Sequence, residues 1–447
     1  VKNLGTGKLR KWKILQIAVP LIRYNPVLGK IERLAKADIE VSFENSISLE
    51  SEQLAKFDDT GKLRVSGLAA NFNQFAEQDD SYSLRSLDTK QIENLDYIII
   101  TNDHLKQYSK VLMSEFVPHK EALGYNVTVI TEDDFMLYPD DSRQKNIRSW
   151  LQNYRDTTTG ILEYVLFIGN PEPGGGDVPM YNNNNPTDLY YAELDSYTSP
   201  FLADVLVGRI PCYGSIKNLD SVLTKTIKYE NQFANSIQWR RNSLVMMKPL
   251  NEYSYVIGGT SWWLGEQIKD EILVPNNFDY HRIYDVNLPT DPEGIMPTPE
   301  TWPCSAYTVT DTWSAGKYGL AMFTTHGGER DASGIMNLSL LPNLNDEYPS
   351  FLVQCSCTTA RPETRDNLSY SFLLDGAVCV VGSTRPSYYS PGTTDFDNNS
   401  GYCLSQNYQY AKRIVAGMTA AGALMILKQL RPEQPIFINS IYMEIHH

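Results

Sequence analysis

The chain has 447 residues, with 39 Lys and Arg against 53 Asp and Glu, for a net charge of −14. The length suits roughly two to four domains of about 100–200 residues each. The acidic balance disfavours nucleic acid, whose phosphates need Lys and Arg, and anionic lipid, and it serves solubility instead. No apolar run reaches the ~20 residues of a membrane span, and the stretch 415–427 is short and interrupted by glycine and threonine. Six cysteines are too sparse for a disulfide scaffold and leave one or two bridges, or none. The 28 tyrosines read as core and edge-strand filling more than as a polymer-binding surface. The sequence opens on Val1 without a signal-peptide pattern, which reads as a processed or truncated piece, and His446-His447 reads as tag residue.

Residues 1–90 read as a small β-rich region and linker, with strands at 13–20 and 39–43 and a turn at Arg23-Tyr24-Asn25-Pro26. The polar stretch 44–89 carries one helix candidate, 68–75. From residue 91 the pattern alternates. Strands are expected at 96–101, 126–130, 164–169 and 205–210, with helices at 105–123, 143–155 and 215–232. A second cycle runs from residue 242 to 447. Its strands are 244–247, 280–284, 319–325, 351–357 and 376–382, and its helices are 262–272 and 408–428, the last after a loop at 383–400. Apolar runs alternating with amphipathic helices imply parallel sheets covered on both faces. The fold class is therefore α/β, with two successive parallel-sheet subdomains, 91–241 and 242–447.

Two of the apolar runs end in reactive side chains. One is Ala321-Met322-Phe323-Thr324-Thr325 followed by His326-Gly327-Gly328; the other is Phe351-Leu352-Val353-Gln354-Cys355-Ser356-Cys357. The C-terminal edge of an open α/β sheet is where active sites form. A thiol needs a base to become a thiolate, and imidazole is the usual one. The pattern points to a cysteine hydrolase. A metal site from the same residues would have no fourth Cys or His nearby in sequence, where a zinc site takes three or four ligands.

Several stretches, in order, resemble the gingipain-type cysteine peptidases of the caspase-like group. They are Tyr97-Ile98-Ile99-Ile100-Thr101, Gly124-Tyr125-Asn126-Val127, Tyr164-Val165-Leu166-Phe167-Ile168-Gly169-Asn170, Thr187-Asp188-Leu189-Tyr190-Tyr191 with Val207-Gly208-Arg209-Ile210-Pro211, His326-Gly327, Ser356-Cys357-Thr358-Thr359-Ala360, and Gly382-Ser383-Thr384-Arg385. The likeness implies a caspase/gingipain-like core and a cysteine endopeptidase acting through a Cys thioester. It departs from the family pattern at Asn170, where Asp is frequent, and at Ala360, where Gly is usual.

Matching the motif from its Thr359-Ala360 side makes Cys357 the nucleophile, which its place nearer the strand end favours; matching the strand alone would make it Cys355, the alternative. The resemblance gives His326 the role of general base and acid, and the N–H groups of Gly327 and Cys357 that of oxyanion donors. It also puts Glu252 roughly where relatives carry an acid that orients the histidine. Trp262 falls in the segment that lines the substrate pocket of Arg-specific relatives, and an aromatic floor cannot neutralise a buried guanidinium. Tyr388 and Tyr389 are expected to line the same pocket. No cofactor is needed for catalysis. A structural calcium ion would draw on the acidic loops Asp133-Asp134, Asp140-Asp141 and Asp395 with Asp397. Expected partners are protein or peptide substrates, with no nucleic acid, and the setting is secreted or on the cell surface. Arg85 or Lys90 is a candidate processing point. Rival readings are a non-catalytic surface or binding module on the same fold, and a Cys-dependent transpeptidase.

Overall fold

The computed structural model describes residues 2–9, 12–19, 22–25, 30–34, 95–138, 140–182, 184–194, 204–250, 260–285, 297–397, 401–430 and 436–440. The chain divides into two units, Val1–Leu87 with His446–His447, and Asp88–Ile445. In the first unit β1 (Lys2–Leu9) pairs antiparallel with β2 (Trp12–Ala18), and β3 (Ile22–Asn25) with β4 (Lys30–Arg33). The expected turn at Arg23-Tyr24-Asn25-Pro26 is strand through Asn25, because Arg23 and Tyr24 pair across to Glu32 and Ile31. The strand expected at 39–43 and the helix at 68–75 lie outside the described residues.

The second unit holds two sheets. In the first, β5 (Leu95–Ile100), β6 (Tyr125–Ile130), β7 (Ile161–Ile168) and β8 (Leu206–Ile210) lie in the order β6-β5-β7-β8, all parallel. Every residue of β5 is buried, which a strand covered on both faces requires. Around it run α1 (Asp103–Tyr108), α2 (Val117–Ala122), α3 (Arg143–Thr157) and α4 (Ile216–Glu230). Ser142 and Ser215 cap the last two, accepting from the N–H groups of Lys145 and Asn218. The single helix expected at 105–123 is interrupted. Ser109 turns out to extended backbone, its hydroxyl donates to Asp220 at 2.5 Å, and a π-turn at Leu112–Phe116 leads into α2. A tertiary bond from α4 thus outweighs continuous helical spacing.

Asp188 and Arg209 form an ion pair that joins the loop after β7 to β8. Arg209 on β8 is wholly buried and donates to both Asp188 oxygens at 2.7 and 2.8 Å, and to the Val178 carbonyl at 2.6 Å. A bidentate fork of this kind fixes the loop after β7 onto β8.

The second sheet comprises β9 (Asn242–Met247), β10 (Asp279–Tyr284), β11 (Leu320–Thr324), β14 (Ser350–Cys355), β15 (Ala377–Ser383) and β16 (Ile436–Ser440). Their order is β10-β9-β11-β14-β15-β16. All pairs are parallel except the edge pair β15–β16. A two-residue hairpin, β12 (Asp331–Ala332) with β13 (Met336–Asn337), follows β11. Helices α5 (Thr260–Gln267), α6 (Ala306–Ala315), α7 (Leu368–Leu374), α8 (Cys403–Val415) and α9 (Ala420–Leu430) cover the sheet. The sequence does not announce α6 and α7, whose Thr, Ser and aromatic content carries weak helix propensity. Ser305 and Asn367 cap them. The expected helix 408–428 is two helices, parted at Gly417, whose φ of 88° ends α8 in the left-handed conformation.

Strand order reverses after β9: β10 lies on one side of it, and β11, β14 and β15 on the other. In open α/β sheets ligand sites form at such a switch point, outside the C-terminal strand ends, which here are those of β9 and β11.

Candidate active site

His326 and Cys357 leave the sheet side by side. β11 and β14 are adjacent and parallel, with Thr324 in register with Cys355. His326 and Cys357 each lie two residues beyond that matched pair. Neighbouring strands are about 4.8 Å apart, so the two exits share one rim of the sheet. The Thr325 N–H donates to the Cys355 carbonyl at 3.2 Å, carrying the ladder one step past the strands.

The His326 side chain reaches the chain that follows β9. Its Nε2 lies 2.5 Å from the carbonyl oxygen of Leu250, three residues past the end of β9. A carbonyl only accepts, so Nε2 carries the hydrogen, and in the neutral ring Nδ1 keeps the lone pair. The chain thereby sets which nitrogen can act as a base. Glu252 lies outside the described residues, and the orienting group the described residues supply is the Leu250 main chain. No sequence signal marks a backbone carbonyl for such a role.

Gly327 is in tight contact with the cysteine loop. A Cβ there would lie 2.1 Å from Ser356 Oγ and 2.9 Å from the Cys357 carbonyl oxygen, so only glycine fits. Among the described residues, the backbone N–H groups of Gly327 and Cys357 have no acceptor within the chain. The loop that starts with Gly327 turns back through the β12–β13 hairpin. Glu329 then ties it to the cysteine side, accepting from Arg361 and Thr364, both at 2.5 Å.

The two cysteines part company. Cys355 ends β14, is buried, and points at Cys403 on α8, with the two sulfurs 2.7 Å apart. Burial and the Cys403 contact push its thiol well above the ordinary range. Cys357 is partly exposed, and its Sγ accepts the Ser387 N–H at 3.3 Å. Thr358 follows in the left-handed conformation, φ 57°, and its N–H donates to the Arg385 carbonyl at 3.3 Å. Ala360, the departure from the usual glycine, is buried with negative φ, and its N–H donates to the Ser383 carbonyl at 2.9 Å. Its methyl group is therefore accommodated, and the positive φ falls at Thr358 instead.

All six cysteines are free thiols. Tyr388 is 67% exposed in the loop after β15, and Tyr389 beside it is half-buried, bridged to Tyr402. Trp262 is only 2% exposed on α5; its neighbour Trp263 is the ring that reaches the surface. The acidic loops are largely engaged by protein. Asp134 closes a capping box with Thr131, Ser149 donates to Asp140, Asp141 pairs with Lys145, and Asp397 with Lys412. Among the described residues no group of three or more His, Cys, Asp or Glu is placed to hold a metal ion. No helix among them is long and apolar enough to cross a membrane. The contacts that sequence reasoning missed are the Leu250 carbonyl, Ser387 and Cys403.

The profile of Peptidase family C25 matches residues 90–436, which takes in the first sheet, the second as far as the start of its edge strand β16, and every element that builds this site. The chain belongs to peptidase family C25. This is a family of cysteine peptidases. Among solved structures it is similar to the Arg-specific cysteine proteinase gingipain R, with a TM-score of 0.59 and 16% identity over 79% of this chain and 75% of that one. It is also similar to the complex of Porphyromonas gingivalis RgpB pro- and mature domains, with a TM-score of 0.57 and 15% identity over 74% and 72% of the two chains. A third likeness, to a structure described only as a protease, has a TM-score of 0.52 at 14% identity over 78% and 77%. No curated protein matches. These likenesses establish the C25 fold, the gingipain- and caspase-like α/β architecture expected from the sequence.

Proposed function

We propose that this chain is a cysteine endopeptidase in which Cys357 is the nucleophile and His326 the general base and acid. The observation that carries the reading is the in-register exit of β11 and β14, with His326 Nε2 held by the Leu250 carbonyl. In this mechanism His326 Nδ1 takes the Cys357 proton, and the thiolate attacks the scissile carbonyl carbon. Negative charge moves to the carbonyl oxygen, where the N–H groups of Gly327 and Cys357 are its donors. Collapse expels the amine, which takes the proton from His326 and leaves a thioester. His326 then activates water to hydrolyse it. The Ser387 main chain holds Sγ in place, its N–H donating to the sulfur at 3.3 Å and its carbonyl lying 3.5 Å away.

Tyr388 and Tyr389 are proposed to contact substrate from the loop after β15. Trp262 enters this reading as the packing support of Trp263, since its own ring is buried. The proposed substrates are proteins or peptides met outside the cell or at its surface.

The test is a thiol-reactive peptide probe with the modified residue mapped, in wild type, Cys357→Ala, Cys355→Ala and His326→Ala. Labelling is expected at Cys357 alone, to vanish in Cys357→Ala and to fall by about 10²-fold or more in His326→Ala. Labelling that maps to Cys355, or that ignores His326→Ala, would overturn the assignment.

A further inference from the structure

We propose that Cys355 and Cys403 are a redox-sensitive pair that closes to a disulfide and ties the Cys357 strand to the root of the loop covering Cys357. The covalent part stands by itself; its consequence for activity rests on the peptidase reading above.

The pair is placed for bonding and for leverage. Cys355 is the last residue of β14 and Cys403 the first of α8, with sulfurs 2.7 Å apart and each residue 5% exposed. The segment between β15 and α8 returns to the sheet at this point. The Cys403 N–H donates to the Tyr388 carbonyl at 3.1 Å, and Tyr389 bridges to Tyr402. One residue before Tyr388, the Ser387 N–H donates to Cys357 Sγ. A bond at Cys403 therefore anchors the backbone that touches the nucleophile.

The chemistry is thiol–disulfide exchange with a low-molecular-weight disulfide such as oxidised glutathione. One protein thiolate attacks a reagent sulfur and releases one reagent thiol. The second protein thiol then displaces the other. Two protein thiols lose two protons and two electrons, and the reagent gains both to become two thiols. Burial makes the exchange slow, since the reagent reaches the pair only when the start of α8 opens.

The experiment equilibrates the full-length Cys357→Ala chain across a series of oxidised and reduced glutathione, alkylates the remaining thiols and maps the peptides. Removing Cys357 keeps the nucleophile from competing and makes the result independent of catalysis. Cys355 and Cys403 are expected to lose alkylation together and to appear as one linked peptide. Cleavage within residues 384–402 by an added protease should slow several-fold in the oxidised form. Cys403→Ala should leave the Cys355 thiol alkylatable throughout; should that variant fail to fold, the mapping in Cys357→Ala decides alone. Both thiols remaining alkylatable across the series, or Cys355 linked to any other cysteine, overturns the proposal. Wild-type protein inert to peptides in both redox states would overturn the peptidase reading and leave the disulfide result untouched.

Discussion

Gly327→Ala tests the claim that the histidine loop and the cysteine loop are fitted to each other. The new methyl group would lie 2.1 Å from Ser356 Oγ and 2.9 Å from the Cys357 carbonyl oxygen, so neighbouring atoms must move. Overpacking of this kind costs about 1–3 kcal/mol. On the mechanism proposed above, the shift also displaces the Gly327 N–H as an oxyanion donor, and loss of one such donor lowers turnover by about 10²–10³-fold. Ser356→Ala supplies the control. Ser356 Oγ is buried without a hydrogen-bond partner, so its removal costs little and abolishes the shorter contact. The double variant should regain more than half the lost stability, a coupling of about 1 kcal/mol, as for residues in direct contact. Urea midpoints for wild type, both single variants and the double variant report the packing, and hydrolysis of a quenched peptide reports the donor. A Gly327→Ala midpoint equal to wild type, or no recovery on adding Ser356→Ala, would refute the fitted-loop geometry.

Asp188→Asn strands the wholly buried Arg209 guanidinium, and loss of one partner of a buried pair costs about 3–5 kcal/mol, read as a drop in the urea midpoint at constant slope. An unchanged midpoint would mean the pair does not hold the loop. Burial pushes the Glu230 carboxyl up, but Lys120, and His119 with it, outweigh this and hold it below the ordinary 4.5. Its folded form binds a proton less readily than its unfolded form. The pair's stabilisation is therefore present above the ordinary carboxylate value and drains away as pH falls through the depressed one. Glu230→Gln should flatten the acid limb of a stability–pH curve, and a limb as steep as wild type would contradict the linkage. Thr358 sits at φ 57°, where a β-branched residue is strained by about 1–2 kcal/mol, so Thr358→Gly should melt no lower than wild type despite the usual cost of glycine. A clear fall in melting temperature would show that the Thr358 side chain contributes more than its backbone costs.

The apolar runs within 95–100, 161–168, 320–324 and 350–355 determined their own strands, because a parallel strand buried on both faces needs a predominantly apolar segment, here broken only by single buried polar residues such as Asp96 and Glu163. His326, Gly327 and Cys357 were legible for a related reason: each follows such a run at the point where the chain leaves the sheet. Helix continuity was not legible. The breaks at Ser109 and Gly417 arise from an Asp220 side chain on another helix and from a left-handed turn, and periodicity sees neither. Strand order was equally out of reach, since β10 and β11 flank β9 through contacts that have no local signature.

The sequence by itself determined the strands, the α/β alternation and which residue types stand at the rim. Only the tertiary structure decided that Cys355 turns inward to Cys403 while Cys357 meets Ser387, and that a Leu250 carbonyl fixes the His326 hydrogen on Nε2. The physical reason is range. Burial and periodicity act along a few neighbouring residues, whereas these pairings join residues 48, 30 and 76 positions apart. Their partners include backbone groups that every residue carries.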